Sequence, residues 1–81
     1  MTAVEKPDRE LDITGELCPM TFVRTRLALD RMLPGEILLV RLRGEEPLRN
    51  VPRTAREQGH AVLSLETAAD GTSLLLLRRG G

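Results

Sequence analysis

Leu11-Asp12-Ile13-Thr14-Gly15-Glu16-Leu17-Cys18-Pro19-Met20-Thr21 carries the turn on which the fold depends. Leu11 and Ile13 alternate with polar neighbours, so Glu10–Thr14 is expected to form a short half-buried strand. Gly15 permits a turn, and Pro19 suits the first turn of a helix, where its missing N–H is not needed. A strand therefore runs straight into a helix, with the only cysteine of the chain at the junction. Unpaired backbone N–H groups and the positive end of the helix dipole stabilise an anion at such a place. A thiolate is one such anion, and this environment lowers a cysteine pKa below its free value of about 8.5. The competing reading is an inert cysteine acting as a small buried hydrophobe.

Working outward, the first helix is expected from Pro19 to Leu33, stopped by Pro34-Gly35. At ~100° per residue, Phe22, Thr25, Ala28, Leu29, Met32 and Leu33 share one side, the expected core face. Met20, Val23 and Leu27 form a second apolar line on roughly the opposite side, near Arg24 and Arg31. It is either covered by a loop and by arginine stems or is a strip on which a partner docks.

Glu36–Leu42 reads as a second strand, apolar on both faces over Ile37–Val40, as a central strand would be. Arg43–Pro47 is expected to be a loop holding the acidic pair Glu45-Glu46. A second helix follows, with Asn50 as N-cap, Pro52 in its first turn and Gly59 at its end. His60–Glu66 is expected as a third strand with Ala61, Leu63 and Leu65 inward. Ala69–Thr72 supplies turn residues, and Ser73–Arg79 is the last strand. Strand, helix, strand, helix, strand, strand implies an α/β, two-layer sandwich: a mixed four-stranded sheet with two helices on one face. The expected organisation is a polar tail over residues 1–9, one domain over 10–79 and a Gly80-Gly81 tail.

With 81 residues, 41% hydrophobic and 30% charged, the chain suits one soluble globular domain. Phe22 is its only aromatic residue, and twelve basic residues cancel twelve acidic ones. Both facts argue against nucleic acid as a partner, since stacking platforms and a global positive field are missing. Between Arg24 and Arg56 eight arginines nonetheless face Asp30, Glu36, Glu45 and Glu46, so one face could be locally basic. A single cysteine makes neither an internal disulfide nor a multi-cysteine metal site, and no cofactor or metal is expected. No apolar signal region or membrane-length run occurs, which points to a cytoplasmic protein without a membrane partner.

The ordered set Leu11–Gly15, Cys18-Pro19, Pro34-Gly35-Glu36, Glu45-Glu46-Pro47, Asn50-Val51-Pro52 and Gly59-His60 resembles the TusA/SirA-like small sulfurtransferases, over Leu11–Arg78. That resemblance implies a two-layer α/β sandwich. It further implies that a sulfane sulfur is taken as a persulfide onto the cysteine of a Cys-Pro-x-Pro motif and relayed to a partner. Cys18 would be the acceptor and Pro19 the residue setting the helix start. Thr21 and Arg24 would support them, and Met20, Val23, Leu27, Glu45 and Glu46 would form the partner surface. The donor would be a protein such as a cysteine desulfurase, and the acceptor a downstream sulfur-accepting protein. Thr21 stands where the motif has its second proline, and Glu45-Glu46 stand for paired aspartates, which marks a divergent Cys-Pro-x-Thr subgroup. Two other readings remain. One is a binding module without chemistry, since the family fold is similar to the RNA-binding C-terminal domain of a bacterial translation initiation factor. The other is a carrier that uses its terminal Gly-Gly as a thiocarboxylate, as ubiquitin-like sulfur carriers do. His60, the only histidine, could pair with Cys18, though a surface place at a strand start is the simpler expectation.

Overall fold

The computed structural model describes residues 7–17 and 20–81; residues 1–6 of the tail expected over 1–9, and Cys18 and Pro19, lie outside the described residues. In chain order the elements are β1 (Arg9–Asp12), α1 (Met20–Asp30), β2 (Ile37–Arg43), α2 (Glu45–Glu57), β3 (Ala61–Thr67) and β4 (Thr72–Arg78). The sheet order is β1-β2-β4-β3. β1 and β2 are parallel, while β4 pairs antiparallel with both β2 and β3. The mixed sheet and its two helices are the architecture read from the sequence. β4 enters between β2 and β3, so those two strands run parallel without touching.

Strand alternation decides the core. Leu38, Val40 and Leu42 of β2 stand opposite Leu77, Leu75 and Ser73 of β4, and all six are buried. Ile13, Leu29, Met32, Val51 and Ala55 close over them from the helix side. Complete burial of each such leucine contributes about 1.5–3 kcal/mol. On the other sheet face Leu39 pairs with Leu76 and Arg41 with Leu74; the three leucines are half-buried and Arg41 is exposed.

Five local expectations are corrected. α1 stops at Asp30, and Leu33, expected in the core, is 69% exposed. The chain tightens there, Arg31 N–H donating to Ala28 O (3.2 Å) and Met32 N–H to Leu29 O (3.0 Å), which rotates Leu33 off the apolar face. The residues expected as a loop, Glu45–Pro47, form the first turn of α2. Carboxylates are favoured at that end of the dipole, and Pro47 needs no intrahelical partner there. Asn50 is therefore inside the helix, its Oδ1 accepting from Arg53 (3.0 Å); the N-cap is Gly44, at φ 105°. Pro52 is likewise interior, so its ring removes the bond to the Leu48 carbonyl. In β3 a bulge between Val62 and Ser64 shifts the alternation. Val62 rather than Ala61 or Leu63 packs on the core, and Leu65, opposite buried Leu75, is 42% exposed on this edge strand. The end of α2 follows the sequence reading. His60 N–H donates to Ala55 O and Gly59 N–H to Arg56 O (both 3.0 Å), with Gly59 at φ 91°.

Candidate functional site

The register Asp12 opposite Arg41 places the carboxyl ends of parallel β1 and β2 at one sheet edge. Both β–α connections leave from that edge, so the start of α1 and the start of α2 lie there together. The β3–β4 hairpin closes the same edge, where Arg43 donates to Asp70 O (3.0 Å). Crevices outside the carboxyl ends of parallel strands are where α/β sheets bind and react.

The segment leading into α1 is built by short-range bonds. Ile13 is 1% exposed and its N–H donates to Arg41 O (2.8 Å), which extends the pairing past β1. Thr14 donates its hydroxyl (2.7 Å) and its N–H (2.9 Å) to Asp12 Oδ1. Those bonds, the hydroxyl's first, hold the Asp12 carboxyl below its ordinary range. Glu16 N–H then donates to Ile13 O (3.1 Å), and Met20 N–H to Leu17 O (2.7 Å) as α1 begins. Cys18 and Pro19 lie between these anchors, outside the described residues.

The other residues singled out from the sequence fall into three groups. Arg24 reaches back to Glu16 at 3.5 Å, so one arginine is tied to the segment before Cys18. Met20, Val23 and Leu27 are exposed along α1, and Leu17 adds a leucine 81% exposed. The strip is therefore open rather than covered. Glu45 and Glu46 are exposed at the start of α2, on the same sheet edge. Thr21 is the exception to the surface pattern: its side chain is 0% exposed.

His60 is placed elsewhere. Its neighbour Ala61 pairs with Arg78, at the edge opposite the start of α1. Its Nδ1 accepts the Gly80 N–H (2.9 Å), and Arg79 Nε donates to Leu29 O at the end of α1 (2.9 Å). Burial first, and then the Arg79 charge, lower the His60 pKa below its ordinary value. The imidazole is thus a neutral acceptor in a corner lock at the end of the sheet away from the start of α1. Gly80 belongs to that lock, since a Cβ there would run into the Gly59 carbonyl. Sequence reasoning missed the lock because it joins residues twenty and fifty apart, for which no local pattern exists.

The sequence model of the sulfurtransferase TusA matches residues 9–79. The chain belongs to the TusA family. A family relative in Archaeoglobus fulgidus, which carries the provisional name of sulfur carrier protein, is 44% identical over 69 residues, 85% of this chain and 78% of its own. YedF of Escherichia coli K12, provisionally named in the same way, is 37% identical over 71 residues, 88% of this chain and 90% of its own. Among solved structures, the SirA-like protein of Desulfitobacterium hafniense superposes with a TM-score of 0.77 at 19% identity, over 90% of this chain and 99% of that one. HP1264 of Helicobacter pylori superposes with a TM-score of 0.68 at 12% identity, over 89% and 97%. These two likenesses show that the TusA-family fold read from the sequence is the fold observed. No helix among the described residues is long and apolar enough to cross a membrane.

Proposed function

We propose that this TusA-family protein carries sulfane sulfur as a persulfide on Cys18 and relays it to a partner protein. One observation carries the reading: a family match spanning residues 9–79 contains one cysteine, at the strand-to-helix junction. In the loading step the Cys18 thiolate attacks the terminal sulfur of a donor persulfide, R–S–SH. The Cys18 S–S bond forms, the donor S–S bond breaks, and the donor leaves as R–S⁻. No net oxidation occurs. Rate depends on thiolate fraction and access, as in disulfide exchange. No second cysteine exists to resolve the persulfide, so the sulfur leaves only by attack from another molecule. A donor of the cysteine desulfurase kind and a downstream acceptor protein are the partners this chemistry requires. Exposed Leu17, Met20, Val23 and Leu27 beside the junction, with Glu45 and Glu46 across the same edge, are the surface on which they would dock. The reducing cytoplasm suits a thiol that must stay free.

The docked Gly80 weighs against the thiocarboxylate alternative, which needs free terminal glycines. The deciding experiment incubates the protein with a cysteine desulfurase and cysteine and weighs it intact. A gain of one sulfur atom is expected, absent in Cys18→Ser and retained when Gly80-Gly81 are deleted. No gain, with a Cys18 that resists alkylation, would leave a binding module without chemistry.

A further inference from the structure

β3 is the long edge of the sheet: β4 pairs with one side of it, and among the described residues no strand pairs with the other. A free edge is a row of unpaired N–H and C=O groups, ready to template another strand. The bulge between Val62 and Ser64 breaks that row near its start, and Ser64–Thr67 continue in regular register. Leu65 stands on the helix side of this stretch, opposite buried Leu75, and is 42% exposed. α2 packs against the same side of β3. Its Thr54 and Gln58 turn towards α1, where they line a cleft with Phe22 and Thr25. At ~3.6 residues per turn, Arg49, Arg53 and Arg56 then lie on the flank away from α1. That flank overlooks β3, because α1 packs on β2 while α2 reaches across β4 to β3. All three arginines are exposed, and among the described residues none lies within ion-pair distance of a carboxylate. Spaced by four and three residues on one helix, they repel one another. Arg53 donates to the neutral amide of Asn50 (3.0 Å), which leaves that repulsion in place.

We propose that the free edge of β3 and the arginine flank of α2 together take an extended acidic segment of a partner protein, added beside β3 as a fifth strand. Main-chain bonds to Ser64–Thr67 hold such a segment, and its helix-side carboxylates meet the arginines. The spacings fit. Arg49 to Arg56 span ~10 Å of helix, and alternate side chains of a strand stand ~7 Å apart, so two carboxylates share the row. Guanidinium groups fork onto carboxylates, and such charge-assisted bonds are the stronger kind. The same charges oppose a second copy of this chain, since pairing β3 with β3 would set two arginine rows side by side. A chain with one aromatic residue and no net charge is poorly suited to nucleic acid. The inference does not depend on the chemistry at Cys18.

The probe is an acetylated, amidated peptide as long as β3 that alternates valine with glutamate, labelled for fluorescence anisotropy and titrated with the full chain at low salt. Two companion peptides need no change to the protein. One replaces glutamate with lysine, and the other is N-methylated at alternate backbone amides, which removes its strand donors. The glutamate peptide is expected to bind and the other two to fail. Arg49→Ala, Arg53→Ala and Arg56→Ala should each weaken binding about two- to fivefold, as exposed ion pairs do, and added salt should weaken it further. Amide hydrogen exchange should slow on the free edge of Ser64–Thr67 when the glutamate peptide is added. Absence of binding by that peptide would overturn the proposal, as would equal binding of the lysine peptide. Binding that survives N-methylation and leaves β3 exchange unchanged would reduce the site to a diffuse anion surface and overturn the strand. Displacement of the peptide by a single-stranded RNA oligonucleotide at lower concentration would make nucleic acid the occupant instead. A dimer in sedimentation, with β3 amides already protected in the absence of peptide, would make a second copy the occupant.

Discussion

Acidification tests the corner lock at His60. Protonating the buried imidazole turns Nδ1 from acceptor into donor, facing the Gly80 N–H at 2.9 Å, and sets a cation beside Arg79. Asp30 opposes this only in part, its charge being the smallest of the three influences. Because the folded-state pKa lies below the unfolded value of about 6.5, the unfolded chain binds more protons between the two. Stability is therefore full above that value and falls as pH drops through it, levelling off below the folded pKa. One proton sets the steepest slope at about 1.4 kcal/mol per pH unit. A chain of 81 residues has ~4–12 kcal/mol in all, so the loss is measurable. Urea unfolding followed by circular dichroism from about pH 7.5 to 5 reads it directly. His60→Gln removes the titration while keeping an amide acceptor, and its curve should be flatter over that range. Asp12 and Asp70 do not confuse the window, since both carboxyls are held below the ordinary 3.8. Parallel pH curves for wild type and His60→Gln would refute the reasoning, because they would mean that His60 is not a neutral acceptor in the fold.

Three further outcomes follow from packing and exposure. Gly80→Ala drives a Cβ into the Gly59 carbonyl and displaces the N–H from His60, so the urea midpoint should fall by the equivalent of ~1–3 kcal/mol. Leu75→Ala empties the centre of a fully buried strand row and should cost about 2–5 kcal/mol in the same assay. Leu27→Glu places a charge on the exposed strip of α1; stability should stay within ~0.5 kcal/mol. On the carrier reading, its sulfur uptake from a donor protein should slow while Cys18 alkylation stays unchanged.

Element type was legible because each decisive signal is local. Apolar alternation at Leu11 and Ile13, the apolar run Ile37–Val40, and glycines at 59 and 71 follow from steric and solvation preferences that act within a few residues. The strand-to-helix succession from β1 to α1 was legible for the same reason. Boundaries failed where two local rules competed: Asn50 could cap a helix, but Glu45, Glu46 and Pro47 suit a first turn better, and the helix started earlier.

What only the tertiary structure decided is which side of each element meets another. The insertion of β4 between β2 and β3 brings Leu75 and Leu77 opposite Val40 and Leu38, and no sequence period states that order. The same packing buries Thr21 and leaves Met20, Val23 and Leu27 in solvent, although both sets lie on one helix. It also joins His60, Arg79 and Gly80 into a lock at the edge away from the start of α1. The physical reason is that propensity and periodicity act along the chain, whereas burial and pairing are set by what the folded chain brings across it.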